Sequence, residues 1–503
     1  MSEASVTVDK VQVDKKSEGN LNRLVFMLAP FLVTALLLLM PVPEGLEPYA
    51  WYYFSIFVGV IVGLIFEPLP GAVIGMTGVV AIALTSQWVL FSPAEMAAPK
   101  FKLAADSFKW AVSGFSNSTV WLIFGAFMFA AGYDKTQFGR RLALVLVKYL
   151  GRRSLTLGYA ITFADLLLAP FTPSNTARSG GTIYPIIANL PPLYGSKPND
   201  PSARKIGSYL MWVAITATCI TSSMFLSALA PNLLALALVK STVGINITWG
   251  NWFVAFLPLG ILLILTMPLL AYIFYPPEVK FNDEVPRWAS AELAKLGRLT
   301  RNEILLLVFV CAALCMWIFA AKFIEPAMAA LLIIGLMLWT GVLNWNDITN
   351  NKAAWNTFFW FATLVALASG LSSTGFIAWL GKEGGILMTG ISPTVATIAI
   401  VVAFYLLHYL FASSTAHTTA LLPAALTIAA TIPGINMEVF CLMMVTSLGV
   451  MGVITPYGCG PSPIYYGSGY LPTKDYWRLG TIFGAIFLVA LLVIGYPWMV
   501  MMF

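Results

Sequence analysis

Charge is scarce in this chain. Lys, Arg, Asp and Glu make up 10% of its 503 residues, against 59% hydrophobic ones, and the mean hydropathy is +0.84. Soluble domains carry about 25% charged residues, so that class is excluded. Histidine is present in two copies, and neither belongs to an HExxH or similar metal spacing. The five cysteines, Cys219, Cys311, Cys315, Cys441 and Cys459, lie in or near apolar runs without a CxxC pair. Neither a disulfide framework nor a thiolate metal site is expected, and no metal or cofactor is assigned. No base and orienter accompany Ser174, so a membrane-embedded enzyme is not supported. The net charge of +6 is spread over loops between apolar runs, which gives orientation and not a nucleic-acid footprint. No short apolar core with a cleavage site opens the chain, so no removable signal peptide is expected. Residues 1–20 are hydrophilic and read as a disordered cytoplasmic tail.

What the chain has instead is a succession of apolar runs of about 18–22 residues, long enough to cross a bilayer. Backbone groups in lipid need internal partners, and strand-like alternation is absent, so the runs are expected to be helices. Crossings are expected near 24–40, 51–66, 71–90, 118–133, 205–240, 252–275, 302–321, 326–343, 356–373 and 479–501. Residues 94–113 are expected to lie along the interface as an amphipathic helix. The basic segment after residue 133, with Lys135, Arg140, Arg141, Lys148, Arg152 and Arg153, and the basic loop 276–301 are both placed in the cytoplasm, with the N-terminus. The last crossing would leave the C-terminus outside.

One stretch breaks the pattern. "LLLAPFTPSNTARSGGTIYPI", residues 166–186, puts Arg178 and small polar residues between two short apolar arms, 159–169 and 177–190. Pro170 and Pro173 interrupt it, and the arms read as a re-entrant hairpin. The order recurs in the second half. Ser174-Asn175-Thr176-Ala177-Arg178 is echoed by Ser413-Ser414-Thr415-Ala416-His417, displaced by 413 − 174 = 239 residues. Each hairpin precedes an interrupted helix, 205–240 broken at "SALAPNLLA" and 435–470 broken at "TPYGCGPSPIYYG". The crossings between the hairpins, 205–240 through 356–373, are odd in number, so the second hairpin enters from the opposite side. The fold class read from this is an all-α polytopic membrane protein, with about eleven transmembrane helices and two re-entrant hairpins in an inverted-topology repeat. Such a repeat places a transport site near the midplane at the repeat interface, which argues against a channel.

The chemistry of the tips suits an anion. Ser, Thr and Asn offer compact donors, and each returning half-helix points its positive end at its tip. Two tips meeting from opposite sides match the two ends of a dicarboxylate. An arginine at the bilayer centre costs about 2.5–3.5 kcal/mol on insertion scales, so Arg178 must pair, face water or offset a substrate charge. His417 is its counterpart, while His408 has none and reads as structural. The competing readings are structural: the triplets as interhelical glue, Arg178 as a hairpin brace, His417 as a core residue, Pro231 and Pro456 as plain kinks.

"PSNTARSGG", "SSTAHTTALLP" and "TPYGCGPSPIYY", in this order, resemble the divalent anion:sodium symporter (DASS) family, and most closely its bacterial citrate/succinate and plant-type 2-oxoglutarate/malate branch. The resemblance covers nearly everything after residue 20. It implies a homodimer in the inner membrane, working by an elevator movement. It also implies that Ser174, Asn175, Thr176, Ser413, Ser414 and Thr415 bind di- or tricarboxylates, with Pro231, Asn232, Thr455 and Pro456 completing the site. On this basis the chain divides into a tail 1–20, scaffold segments 21–133 and 241–373, transport segments 134–240 and 374–470, and a last helix 471–503. The second triplet is Ser-Ser-Thr where the family pattern is Ser-Asn-Thr, and Arg178 and His417 follow the triplets. These departures favour sodium-independent antiport over the alternative, a sodium-coupled dicarboxylate symporter. Arg178 and His417 are then expected to compensate charge where sodium ions would bind, so that an empty carrier, left with uncompensated charge, does not cross.

Overall fold

The computed structural model describes residues 25–66, 68–320, 322–387 and 390–503; the tail expected to be disordered lies outside them. Among the described residues the chain is helical, with one isolated bridge, Arg153 to Phe281, and no strand. Membrane-length apolar helices include Pro48–Phe66, Trp249–Phe274, Arg301–Phe319, Lys352–Ser373 and Thr473–Met502. Leu265, Phe319 and Val493 stand exposed on such helices. That is the arrangement expected of a surface solvated by lipid, and the protein is a multi-pass membrane protein.

Two compact units form. One holds residues up to Asn117 and Phe359–Glu383. Lipid tails supply no hydrophobic force between helices, so close backbone approach has to hold them together. A Cβ on Gly114 would fall 1.8 Å from the Ala362 carbonyl oxygen, and one on Gly370 would fall 2.2 Å from the Tyr53 hydroxyl. That buried hydroxyl donates to the Leu367 carbonyl at 2.7 Å. The interfacial helix expected over 94–113 is shorter, Leu103–Ala111, preceded by a capped turn at Pro93–Met96.

The second unit, Ser118–Phe358 with Gly384–Phe503, contains both hairpins and both interrupted helices. The first hairpin descends through Ser154–Leu168 and Ala169–Phe171, and returns through Thr176–Ile187. Its first arm begins five residues before the expected apolar run. The Ser154 amide and hydroxyl donate to the carbonyls of Lys280 (3.0 Å) and Val279 (2.6 Å), so protein replaces water at the arm's start. The returning arm opens as a wide π-type turn over Thr176–Ile183, the kind of irregularity that marks functional helices. The second hairpin runs Pro393–Leu407, His408–Leu410 and Ser414–Ala430. The first broken helix, Gly207–Met224, stops at Phe225–Leu229 and resumes as Ala230–Val243 with Pro231 in its first turn. There proline's fixed φ and missing N–H cost nothing. The second, Met437–Val450, continues to Val453 and resumes as Ser462–Gly467.

The segment 276–301, expected to be a plain loop, instead contains an amphipathic helix, Glu284–Leu296, packed on the helix Phe138–Leu150. Arg141 joins the two. It makes a forked contact with the buried Glu303 (2.6 and 3.3 Å) and donates to the carbonyls of Leu296, Gly297 and Arg298, which end the Glu284–Leu296 helix. A planar cation at a helix C-terminus meets both its orphan carbonyls and its dipole. At the surface, Lys135 holds Asp347 at 2.5 Å. Partial burial raises the Asp347 carboxyl, but Lys135 and the Asn344 amide outweigh it and keep the group below the ordinary carboxylate value. Its stabilising contribution is therefore present at neutral pH and lost as pH falls through that lowered value.

Replacing Glu303 with Ala should strand the Arg141 guanidinium and lower stability by roughly 1–3 kcal/mol, read as a drop in the thermal midpoint of the detergent-solubilised protein. Arg152→Ala, which breaks the exposed pair with Asp283, should stay within about 0.5 kcal/mol of the parent in the same measurement.

Candidate functional site

The two tips repeat each other bond for bond. Ser174 Oγ accepts the Ala177 amide at 3.2 Å, and Ser413 Oγ accepts the Ala416 amide at 3.4 Å. The Arg178 amide donates to the Ser174 carbonyl at 2.9 Å, and the His417 amide to the Ser413 carbonyl at 3.0 Å. The sequence echo is thus a structural one: each serine caps a half-helix that begins at the tip. The amides that precede the capped ones, of Asn175–Thr176 and Ser414–Thr415, have no partner among the described residues. They leave two small nests of N–H groups at two positive helix ends.

Both tips converge on the break of the second interrupted helix. Ser414 Oγ donates to the Gly458 carbonyl at 2.9 Å, and His408 Nε2 lies 2.8 Å from the same oxygen. Thr176 and Asn175 pack on Gly460, where a Cβ would fall 1.8 Å from Thr176 Oγ1 and 3.4 Å from Asn175 Oδ1. Gly460 is therefore needed because the first tip occupies its side-chain space. The two interrupted helices also meet each other. The Val450 amide donates to Ser223 Oγ at 2.9 Å, and Gly449 touches the Ser223 backbone. The packing is exchanged between the repeats. The returning arm of the first hairpin lies on Ser462–Gly467, with Ser179 Oγ 2.8 Å from the Tyr465 hydroxyl, while that of the second lies along Ala230–Val243.

Arg178 does not project toward solvent. It is 1% exposed, and six hydrogen bonds consume its guanidinium. Nε donates to Asp165 Oδ1 at 2.9 Å. Nη1 donates to the Thr172 carbonyl (2.9 Å), beneath the tip, and to the Ala228 carbonyl (2.8 Å), in the first break. Nη2 is shared by the hydroxyls of Thr218, Thr221 and Ser222 at 3.2 Å each. Asp165 is the residue that sequence reading missed. It sits 13 residues before Arg178 on the facing arm, fully buried, with Thr221 as a second donor to Oδ1 at 2.5 Å. The expectation of an uncompensated charge at Arg178 is corrected: its counter-ion lies beside it. A single acidic residue inside the apolar run of the first arm was the available signal.

The second repeat lacks this pair. The position 13 residues before His417 (417 − 404 = 13) is Phe404, whose ring centroid lies 4.3 Å from the imidazole. Phe411 and His408 close the cage at 5.0 Å each. His417 is fully buried, and neither ring nitrogen has a protein partner. His408, read as isolated, is its neighbour. The chain's two histidines form one cluster behind the second tip.

The remaining residues divide by what their polar atoms do. Asn232 spends its amide nitrogen bridging the first break, to the carbonyls of Ser222 (2.7 Å) and Phe225 (3.2 Å), which leaves Oδ1 unpartnered. The buried Thr455 hydroxyl is also unpartnered, beside the partly exposed Pro456. Ser174, Thr176, Ser413 and Thr415 are partly or fully exposed at the tips. Free amides and one free hydroxyl around a convergence of two helix ends form an anion-accepting arrangement, and the free Asn232 Oδ1 can accept from a ligand hydroxyl.

The sodium:sulfate symporter transmembrane region family matches residues 21–503. The L-tartrate/succinate antiporters of Escherichia coli (strain K12) and Shigella sonnei (strain Ss046) are each 56% identical over 472 residues, covering 94% of this chain and 97% of theirs. Two solved transporters share the fold at low identity. They are YdaH of Alcanivorax borkumensis (TM-score 0.56, 12% identity, 85% of this chain and 97% of that one) and MtrF of Neisseria gonorrhoeae (TM-score 0.52, 14% identity, 90% and 96%). With its hairpin tips, its broken helices and a match from residue 21 to residue 503, the chain belongs to the sodium:sulfate symporter family of the divalent anion:sodium symporters, and is a transporter and not an enzyme.

Proposed function

We propose that this protein exchanges dicarboxylates of the tartrate, succinate, malate and 2-oxoglutarate class, and more weakly the tricarboxylate citrate, across the inner membrane without sodium. That the 56% identical relatives are L-tartrate/succinate antiporters supports antiport of such acids. The observation that carries sodium independence is Arg178. A cation that gathers carbonyl oxygens from a hairpin tip (Thr172) and a helix break (Ala228) does structurally what a bound metal ion would do, but covalently and permanently. The substrate carboxylates are bound by the amide nests at Ser174-Asn175-Thr176 and Ser413-Ser414-Thr415, with Thr455 Oγ1 and Asn232 Oδ1 meeting carboxylate and hydroxyl groups between them.

Obligatory exchange then has a different origin from fixed charge. The Asp165–Arg178 pair is neutral as a unit, so an empty site carries bare helix ends and unpaired polar groups. Moving these through a low-dielectric path is unfavourable, and a bound dianion satisfies them. The exchanged packing of hairpins and broken helices supports movement of 134–240 and 374–470 as one transport body. That body moves against the scaffold segments 21–133 and 241–373 in an elevator step, within a homodimer embedded in lipid. The basic loops support a cytoplasmic N-terminus.

Labelled succinate should enter proteoliposomes only when they contain a dicarboxylate, at a rate indifferent to sodium; sodium-driven uptake into empty vesicles would overturn the reading. Arg178→Ala should reduce exchange by at least ~100-fold and also lower the thermal midpoint, because it strands Asp165, a loss of about 3–5 kcal/mol. Thr455→Val should separate binding from folding. Its hydroxyl has no protein partner, so the midpoint should hold while KM rises about tenfold for one lost hydrogen bond.

A further inference from the structure

Three charged residues are buried among the described residues: Asp165, Arg178 and Glu303. Glu303 belongs to Arg141, at the end of another helix. The buried fixed charge at the site is therefore that of Asp165 and Arg178, and it sums to zero. The pair lies directly under the first tip. Arg178 holds the Thr172 carbonyl two residues before Ser174, and holds the Ala228 carbonyl three residues before Pro231. In the second repeat the corresponding positions are Phe404 and His417, which bring no carboxylate. The helix ends supply only partial charges, about half a unit each.

From this we infer that Asp165 is a specificity-determining residue: by neutralising Arg178 it matches the site to dianions and discriminates against acids with a third negative charge. Two helix ends suit two carboxylates. An unmatched guanidinium would add a full positive charge within the same low-dielectric volume, where attraction grows with the ligand's charge. The inference rests on the carboxylate-exchange reading, which it deepens.

Asp165 also permits a clean test. Oδ1 accepts both Arg178 Nε and Thr221 Oγ1, whereas Oδ2 has no partner. Asp165→Asn can keep both bonds to its carbonyl oxygen and remove the charge, with its amide nitrogen in the place of the unpartnered Oδ2. Asp165→Glu keeps the charge and alters the reach. Thr218→Asp, at a hydroxyl that now accepts from Nη2, adds a second carboxylate to the guanidinium and should act in the opposite sense.

The experiment is exchange in proteoliposomes containing the full chain, with labelled succinate and labelled citrate compared at a pH where citrate is a trianion. Asp165→Asn should lower KM and kcat for succinate together, several-fold each, because freed charge tightens binding and slows release; a merely structural defect raises KM. The citrate-to-succinate ratio of kcat/KM should rise at least tenfold. Asp165→Glu should return the ratio toward wild type, and Thr218→Asp should lower it. A wild type that exchanges succinate beside an Asp165→Asn variant whose ratio stays within twofold overturns the inference alone, as does an Asp165→Glu shift equal to that of Asn. A wild type that moves neither acid overturns the carboxylate reading, and the inference with it. If Asp165→Asn does not fold, Thr218→Asp decides: an unchanged or raised ratio is the overturning result.

Discussion

A single buried guanidinium holds the first half of the site together. A hairpin that turns back inside a membrane exposes carbonyls at its tip, and a helix that breaks there exposes more. Neither can be left unpaired at that depth, because water is absent and each orphan costs several kcal/mol. Arg178 answers both at once, through Thr172 and Ala228, and Asp165 makes its own charge tolerable. The three hydroxyls of Thr218, Thr221 and Ser222 complete the fork, so the first broken helix is tied to the hairpin by a polar cluster in place of apolar packing.

The second half uses another solution to the same problem. There the Gly458 carbonyl is met by Ser414 and by His408, and the residue equivalent to Arg178 is a histidine in an aromatic cage. Repeats that share a backbone need not share an electrostatic device. The backbone contacts of Ser174 and Ser413 are matched, because the turn geometry demands a cap in both. The side chains behind them differ: in the first repeat Arg178 meets the break carbonyl of Ala228, and in the second Ser414 and His408 meet that of Gly458. The asymmetry matters for a carrier: one side of the site is rigidly cross-linked by ionic hydrogen bonds, and the other is lined by rings.

The interlocking of the repeats gives these local contacts their mechanical meaning. Each returning arm packs on the second half of the other repeat's broken helix, and the two broken helices touch at Ser223 and Gly449–Val450. The two tips are thereby tied to each other through the broken helices. Glycines at 449, 458 and 460 allow the approach, each because a neighbouring backbone or side chain fills the space a Cβ would need.

Much of this was legible in the sequence, for definite reasons. Apolar run length reports crossing helices because the bilayer fixes their span. The echo of SNTAR in SSTAH reported two hairpins because a cap and a turn need particular residues at particular steps, and the prolines at 231 and 456 marked the breaks. The amphipathic helix Glu284–Leu296 was hidden, since its one apolar stripe is partnered by a helix more than a hundred residues earlier. So was the role of Asp165, whose distance from Arg178 matches no helical repeat because the two lie on opposite arms of a hairpin. The sequence by itself determined the class, the repeat and which residues stand at the tips, since these follow from local chemistry and from the thickness of the membrane. Only the tertiary structure decided that Arg178 faces a counter-ion and has no donor left for a ligand, because charge pairing depends on distances through space that chain order does not encode.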